Sequence, residues 1–266
     1  MNIYEEISAL EKANQPFVLA TVVDLSGSVP GKVGFKMIIK DDGNTVGTVG
    51  GGAIEMEVKN EALKRLKNGE SGTKEYLLSD DKLTARNGVS IVPMKCSGKT
   101  AIYYEVHRNK IDVFIFGGGH VGHALLYFLS PFDYHLILVD NRKEFVSSEK
   151  NPFAHEYTFS EYINFVKDFK PPNDSYAVIL THSHKFDYEI LKTIYDRNLP
   201  FKYIGVIASK TKAVSMRENL KKELNSDLNI TNLHSPIGLN IGGNTAEEIA
   251  LSIVAEMQKI RYNGTI

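Results

Sequence analysis

Three glycines in this chain have a spacing that suits phosphate binding. Gly117, Gly119 and Gly122 form a G-x-G-x-x-G pattern directly after the apolar run at residues 111–116. In this pattern the first glycine permits a tight turn, the second lets backbone approach a diphosphate, and the third lets a helix pack on a strand. The N-terminus of the following helix adds N–H groups and a positive dipole end. The spacing predicts a dinucleotide-binding crevice; the alternative is a glycine-rich turn in an α/β domain that binds no nucleotide.

A carboxylate stands where such a crevice would bind ribose. Asp140 ends a second apolar run, residues 135–140. It follows the glycines by about 20 residues, the usual distance to the acidic residue that accepts hydrogen bonds from ribose hydroxyls. Because a carboxylate repels a 2′-phosphate, we expect NAD in preference to NADP if either binds.

The composition excludes several classes of function. The 266 residues carry 31 Lys and Arg against 32 Asp and Glu, so no basic footprint indicates a nucleic-acid partner. Cys96 is the only cysteine, which excludes an intramolecular disulfide and a tetrathiolate zinc site within one chain. The acidic first residues and the lack of a bilayer-length apolar run predict a cytoplasmic protein with no membrane partner.

The first hundred residues predict strands joined by hairpin-like turns. Apolar runs between turn clusters predict strands over residues 17–23, 35–39, 45–49, 73–78 and 100–106. Ile54, Val58, Ala62 and Leu66 have the spacing of one helix face, and an earlier helix is expected near residues 3–10. We expect residues 1–108 to form a smaller α+β domain.

From Ile111 onward, strands and helices alternate. Strands are predicted over residues 112–116, 135–139, 176–180 and 203–207, and helices over residues 121–129, 186–197, 211–224 and 246–260. Thr245 is the predicted N-cap of the last helix. This alternation predicts an α/β fold, with a Rossmann-like parallel sheet over residues 109–266.

Short segments along nearly the whole chain resemble one family. In the first hundred residues they are Gly-Ser-Val-Pro at 27–30, Gly-Phe-Lys-Met at 34–37 and the glycine-rich segment 47–55. The later ones are residues 114–122, Thr-His-Ser-His at 181–184, and residues 235–242 and 245–250. Together they resemble the XdhC/CoxI family, which are accessory factors for molybdenum hydroxylases such as xanthine dehydrogenase.

The resemblance implies a chaperone for cofactor insertion more than a catalyst. Such a protein binds molybdenum cofactor (molybdopterin), protects it during maturation and delivers it to an apo-hydroxylase of the xanthine dehydrogenase type. A cofactor-sulfurating enzyme is a second expected partner. The glycine crevice would bind NAD or another nucleotide, and the oligomeric state, a homodimer included, stays open.

A second glycine run suits the phosphate of the pterin that the resemblance implies. Gly50, Gly51 and Gly52 precede a predicted helix, so their N–H groups are candidates to cradle a phosphate that Lys32 and Lys36 would neutralise. The alternative is a tight strand-to-helix turn. A few charge-assisted hydrogen bonds do not supply micromolar affinity after association costs, so a second anchor is expected.

Cys96 is the candidate for that anchor and for a metal ligand. A thiolate is a soft ligand, and the adjacent Lys95 favours the ionised form. The segment from Cys96 to Gly98 resembles the family's Cys-Gly-Gly element, whereas Ala53 stands where members often carry a second cysteine. The alternative is a small buried apolar side chain. Glu55 is a candidate to hydrogen-bond the pterin ring, or it only complements the helix dipole.

His182 and His184 follow the predicted strand at 176–180, at an edge where parallel sheets bind ligands. We expect them to line the crevice, and a structural role in the loop is the alternative.

With Asp187, these histidines are similar to the His-x-His-x-Asp-His element of metallo-β-lactamase-type hydrolases, but the aspartate is one place too late. Two other functions remain open: an NAD(P)-dependent oxidoreductase, because of the glycine crevice, and a metallohydrolase, because of the two histidines.

Overall fold

The computed structural model describes residues 2–79, 90–94 and 98–262. Contacts divide the chain into two compact units, Met1–Asn109 and Lys110–Ile266. Each unit has its own sheet and its own hydrophobic core.

The first unit is a mixed sheet with two helices among its described residues. The helices are α1 (Ile3–Lys12) and α2 (Ala53–Asn68). The strands are β1 (Phe17–Gly27), β2 (Lys36–Lys40), β3 (Thr45–Gly47), β4 (Gly72–Ser79), β5 (Ser90–Pro93) and β6 (Gly98–His107). They lie in the order β3-β2-β1-β6-β4-β5, and all neighbours are antiparallel except β4 and β5.

Helix α2 covers this sheet with the face that the sequence predicts. Ile54, Val58 and Ala62 are buried against strand residues because they recur at helical spacing. The helix begins after Gly52 and ends at Gly69, which adopts the left-handed conformation that glycine tolerates best. The glycine segment 50–52 is therefore the turn between β3 and α2.

The second unit is a parallel sheet with helices on both faces. The strands are β7 (Ile111–Phe116), β8 (Tyr134–Asp140), β9 (Glu156–Phe159), β10 (Ser175–Ile179), β11 (Phe201–Val206) and β12 (Leu233–His234). The helices are α3 (His120–Leu129), α4 (Tyr162–Asp168), α5 (His184–Asp196), α6 (Lys210–Glu223) and α7 (Ala246–Arg261). One core cluster lies between the sheet and helices α3 and α7, and another lies between the sheet and α4, α5 and α6.

The strand order is that of a Rossmann fold. The sheet runs β9-β8-β7-β10-β11-β12 with all neighbouring strands parallel, so the direction of winding reverses between β7 and β10. This confirms the predicted α/β fold. Ligands of such sheets bind outside the carboxyl ends of the strands at the reversal, and the three-glycine turn follows β7 there.

Several elements were not predicted from the sequence. They are the short strands β5, β9 and β12 and the helix α4. Each is at most seven residues long, which is too short for a periodic pattern to stand out. The predicted N-cap of α7 is confirmed, since Thr245 and Glu248 form a reciprocal capping box.

Candidate functional site

The glycine turn after β7 is closed on two sides and open on a third. A Cβ on Gly117 would collide with the carbonyl oxygen of Leu180, and one on Gly122 would collide with the carbonyl oxygen of Gly117. A Cβ on Gly119 would instead meet, outside its own turn and among the described residues, only Arg142 Nη2 at 4.0 Å. Gly119 is also the N-cap of α3 and offers no side-chain cap. The open side of the turn therefore lies at a helix N-terminus.

Asp140 lies beside this turn, but it faces inward. It is fully buried, and its Oδ2 accepts a hydrogen bond from the Gly118 N–H at 2.7 Å. Arg142 donates to the same carboxylate three times, from its backbone N–H and Nε to Oδ1, both at 2.9 Å, and from Nη2 to Oδ2 at 2.8 Å. Although burial opposes ionisation, these hydrogen bonds hold the pKa of Asp140 below its ordinary value.

The structure gives Asp140 a partner that the sequence interpretation did not include. Its carboxylate forms an ion pair with Arg142, so a positive charge accompanies the negative one at this edge, and the preference for NAD over NADP stays a prediction. Arg142 itself was not predicted as a site residue. The signal was present, because an arginine two positions after the strand-end acid can reach the same crevice, and arginines there accommodate a 2′-phosphate.

Asn151 holds the glycine turn after β7 through side-chain hydrogen bonds. Its fully buried side chain donates from Nδ2 to the carbonyl oxygens of Gly118 at 3.2 Å and Phe145 at 2.7 Å. Its Oδ1 lies 3.1 Å from Nδ1 of His123. No local pattern around Asn151 indicates this role, because the asparagine lies in an irregular loop and acts on a turn 33 residues earlier.

The histidines after β10 lie at the strand end next to the glycine turn. Thr181 is close to Gly117 in space, and both His182 and His184 are exposed. His184 Nδ1 lies 3.4 Å from Oδ2 of Asp187, while Oδ1 of Asp187 accepts from the backbone N–H and the hydroxyl of Thr181 at 3.1 and 2.6 Å.

Asp187 is the second buried carboxylate of this edge, and its ionisation differs from that of Asp140. Burial raises the pKa of Asp187, against the hydrogen bonds from Thr181 and the proximity of His184, which oppose the rise. Its side chain is 1% exposed, whereas that of His184 is 59% exposed. A buried carboxylate and an exposed imidazole therefore lie side by side at the crevice edge.

A third carboxylate holds the loop that follows β12. Glu256 on α7 accepts from the hydroxyl of Tyr203 at 2.6 Å and from the N–H of Gly238 at 2.9 Å, and His234 Nδ1 lies 3.5 Å away. Burial opposes ionisation, but these partners keep the pKa of Glu256 below its ordinary value. The family-like segment 235–242 is thus anchored to α7.

The glycine turn of the first unit has a different chemistry. Its anion is supplied by the chain itself, because Glu55 Oε1 accepts from the N–H groups of Val49 at 3.2 Å and Gly51 at 3.0 Å. The Gly50 N–H donates to Thr48 Oγ1 at 3.1 Å. Two of the amides expected to cradle a phosphate are therefore committed within the turn, so a phosphate would have to compete with Glu55. Neither interpretation of Glu55 from the sequence included this contact.

The lysines expected to assist the first turn have different positions. Lys32 is exposed, whereas Lys36 on β2 is half-buried and donates to Thr21 Oγ1 at 3.2 Å. The backbone at Pro30 and Gly31 packs directly against Val49 and Gly50. Two of the segments that resemble the family, residues 27–30 and 47–55, therefore meet at this turn.

Cys96 lies outside the described residues. Of the described residues on either side of it, Met94 approaches the glycine turn, and Gly98 packs against the end of β1 and the segment that follows it. Met94 Cε is 3.3 Å from the place of a Cβ on Gly52, and a Cβ on Gly98 would collide with the carbonyl oxygen of Ser26.

Neither a metal-binding cluster nor a membrane-spanning helix is present in the described part of the chain. Within residues 2–79, 90–94 and 98–262, no three His, Cys, Asp or Glu side chains are grouped so that they could hold a metal ion. Over the same ranges, no helix has both the length and the apolar character needed to cross a membrane.

The fold and the glycine turn define the second unit as a domain of the Rossmann class. The model of the XdhC Rossmann domain matches residues 113–257, and that of the XdhC and CoxI family matches residues 10–77. The first match alone spans more than half of the chain. The chain belongs to the XdhC and CoxI family, which confirms the resemblance in the sequence.

The chain is also similar to individual bacterial proteins. The chain is 30% identical to an uncharacterized Escherichia coli protein, YqeB, over 99% of this chain and 47% of that protein. It is 27% identical to a Bacillus subtilis protein named as a probable xanthine dehydrogenase subunit, over 61% of this chain and 46% of that protein. The chain thus spans about half the length of these curated relatives.

A solved structure supports the fold. A Bacillus halodurans protein described as a xanthine dehydrogenase aligns with a TM-score of 0.53 and 22% identity, over 99% of this chain and 96% of that one.

Proposed function

We propose that this protein is an accessory factor that binds molybdenum cofactor and delivers it to a molybdenum hydroxylase of the xanthine dehydrogenase type. The observation that carries the proposal is family membership, with the two XdhC models matched in order along one chain. The name of the Bacillus subtilis relative supports a hydroxylase as the partner. A cofactor-sulfurating enzyme and a second copy of this chain are further partners within the same proposal.

The first unit is the proposed cofactor-binding unit. Its glycine turn already holds a carboxylate on the N–H groups of Val49 and Gly51, so its chemistry suits an oxyanion. The phosphate of the cofactor would replace Glu55 on the turn formed by Gly50, Gly51 and Gly52. Lys32 and Lys36 would supply positive charge from neighbouring segments.

Cys96 is the proposed contact to the metal. A thiolate is a soft ligand, and molybdenum bound through the pterin is the redox centre that the hydroxylase requires. The approach of Met94, the described residue that precedes this segment, to Gly52 of the glycine turn supports the proposal.

The second unit is proposed to bind a nucleotide at Gly117, Gly119 and Gly122. The open side at Gly119 favours this role. The same crevice keeps an NAD(P)-dependent oxidoreductase as the alternative function, because His184 and Asp187, whose side-chain types can act as general acid or base, lie together at the strand end beside the glycine turn. The described residues contain no observation that favours a metallohydrolase.

The test measures how well the protein retains and transfers its cargo. Purified protein is loaded with molybdenum cofactor, and its retention after gel filtration and its transfer to an apo-hydroxylase are measured. Cys96→Ser replaces a soft ligand with a hard hydroxyl of similar size, so retention should fall about tenfold or more, which corresponds to about 1.4 kcal/mol. Ser97→Ala, the adjacent residue, is the matched control and should retain the cofactor as wild type does.

Thermal unfolding separates a ligand from a packing residue. A large fall in melting temperature together with lost retention would mean that Cys96 acts through folding. Unchanged retention in the serine variant would contradict the metal contact. A wild-type protein that binds no molybdenum cofactor but oxidises or reduces a substrate with NAD(P) would favour the oxidoreductase.

A further inference from the structure

The crevice of the second unit contains a cation that its sequence motif does not require. Among the described residues, Arg142 Nη2 is the only atom beyond the turn itself within 4 Å of the place where a Cβ of Gly119 would lie. Gly119 is the glycine whose missing side chain lets a diphosphate approach the backbone in this fold. A guanidinium beside that position offers a planar, permanently charged donor to a phosphate.

The orientation of this guanidinium is held on two sides. Its Nε and Nη2 bind the carboxylate of Asp140 at 2.9 and 2.8 Å, and its Cζ lies 4.0 Å from the centroid of the Phe145 ring. Asn151 ties the backbone of Phe145 to the glycine turn, because one side-chain amide donates to the carbonyl oxygens of both Phe145 and Gly118. The cation and the turn therefore share one rigid support.

The carboxylate of the pair points inward and the cation points outward. The side chain of Asp140 is 0% exposed, while that of Arg142 is 28% exposed. The hydrogen bonds to Asp140 use Nε and Nη2, and in the described part of the chain no protein partner is found for Nη1. A ligand entering at Gly119 thus meets positive charge rather than the carboxylate.

We propose that Arg142 binds the diphosphate of the nucleotide in this crevice, and that Asp140 positions Arg142 instead of accepting from the ribose. The proposal rests on the nucleotide-binding role proposed for the second unit. It defines the ligand class as a nucleotide with at least two phosphates, including nucleotides phosphorylated at the 2′ position.

The test is a calorimetric titration of the full chain with ADP and CDP, the matching 2′-deoxynucleoside diphosphates, and adenosine and cytidine. Arg142→Gln should weaken binding of the diphosphates at least about tenfold and leave binding of the nucleosides unchanged, because one charge-assisted contact is lost. Asp140→Asn should weaken the binding of the ribonucleotides and of the deoxyribonucleotides by the same factor. Lys143→Gln, which removes a charge from the adjacent residue, is the matched control and should bind as wild type does.

Each outcome decides between the two proposals. If wild type binds no nucleotide, the nucleotide-binding role fails, and the role of Arg142 fails with it. If wild type binds and Arg142→Gln binds equally well, only the role of Arg142 is overturned. If Asp140→Asn removes a preference for the 2′-hydroxyl, Asp140 binds the ribose and the positioning role is overturned. Amide hydrogen exchange of β7 and α3 shows whether each variant retains the folded turn.

Discussion

The two glycine turns of this protein have similar sequences and opposite electrostatics. In the first unit, the turn at residues 50–52 is closed by Glu55, whose carboxylate accepts hydrogen bonds from N–H groups in and beside the turn. In the second unit, the turn at residues 117–122 has an open side at Gly119, and the nearest described side chain there is the cation Arg142.

The difference between the two turns shows that a glycine turn before a helix can either bind a carboxylate of its own chain or leave a side open to an external anion. The N–H groups and the helix dipole favour an anion in both cases. Where the chain places an acid three residues into the helix, the turn stabilises itself and a ligand has to compete. In the second turn the acid, Asp140, accepts from the N–H of Gly118 on the inner side, while the cation Arg142 lies at the open side near Gly119, so the open side favours an external anion.

The largest expected effect comes from the closed side of the second turn. Gly122→Ala places a methyl group against the carbonyl oxygen of Gly117, and neither backbone segment can move freely. We expect the free energy of unfolding of the second unit to fall by about 3 kcal/mol, measured by chemical denaturation and hydrogen exchange. Gly119→Ala, with an ordinary φ of −69° and open space, should cost less than about 1 kcal/mol. Equal losses would contradict the asymmetry of the turn.

The open side should matter for binding and little for folding. Gly119→Val fills the space at the helix N-terminus, so we expect nucleotide binding to fall at least about 100-fold while the fold is retained. Titration with NAD and NADP, together with thermal unfolding, checks both parts. A valine variant that binds like wild type would show that the crevice holds something else.

Two of the buried carboxylates of the second unit, Asp140 and Asp187, should respond oppositely to pH. The pKa of Asp140 is lowered from 3.8, so its stabilising contribution is present above that pH and is lost as pH falls through the folded value. The pKa of Asp187 is raised from 3.8, so its contribution is complete below that pH and is lost as pH rises through the folded value.

Denaturation of the asparagine variants between about pH 3 and pH 7 measures this contrast. Asp140→Asn should cost about 1.5–3 kcal/mol at neutral pH, because hydrogen bonds to a charged group are lost, and the cost should shrink on acidification. The stability of wild type relative to Asp187→Asn should instead increase on acidification. The same slope for both variants would contradict the opposite directions of the two pKa shifts.

The smallest effect is expected in the first turn. Glu55→Gln keeps an acceptor but removes its charge, so the free energy of unfolding of the first unit should fall by about 1 kcal/mol. The same variant should bind molybdenum cofactor more tightly, because a neutral amide competes less with phosphate. Glu57→Gln, two residues further along α2, is the control for charge alone. Weaker cofactor binding in Glu55→Gln would indicate that Glu55 contacts the cofactor.

Much of the fold could be predicted from local patterns. The strands β7, β8, β10 and β11 are apolar runs because a parallel sheet is buried on both faces, and the helices between them have apolar residues at helical spacing. The elements that escaped prediction are short or irregular, and they form because neighbouring strands and helices supply their partners. The strand β9, for example, pairs along β8 with only four residues.

The candidate site could be predicted only in part. The positions of Gly117, Gly119 and Gly122 follow from the spacing. At Gly117 and Gly122 only glycine avoids the backbone collisions of the closed sides, whereas Gly119 leaves its side open. The position of Arg142, two residues after Asp140, signals that it can reach the crevice, but the contacts that Asp140 and Glu55 actually make could not be predicted. In a loop no repeating geometry determines where a side chain points.

The sequence by itself determined where most of the helices, strands and glycine turns of this protein lie, because periodicity and backbone sterics act over a few residues. The tertiary structure decided which charge faces each turn. β8 lies beside β7, so the loop after β8 carries Arg142 to the open side of Gly119 and turns Asp140 inward. That choice depends on the packing of segments more than 20 residues apart, which a pattern of residue types does not encode.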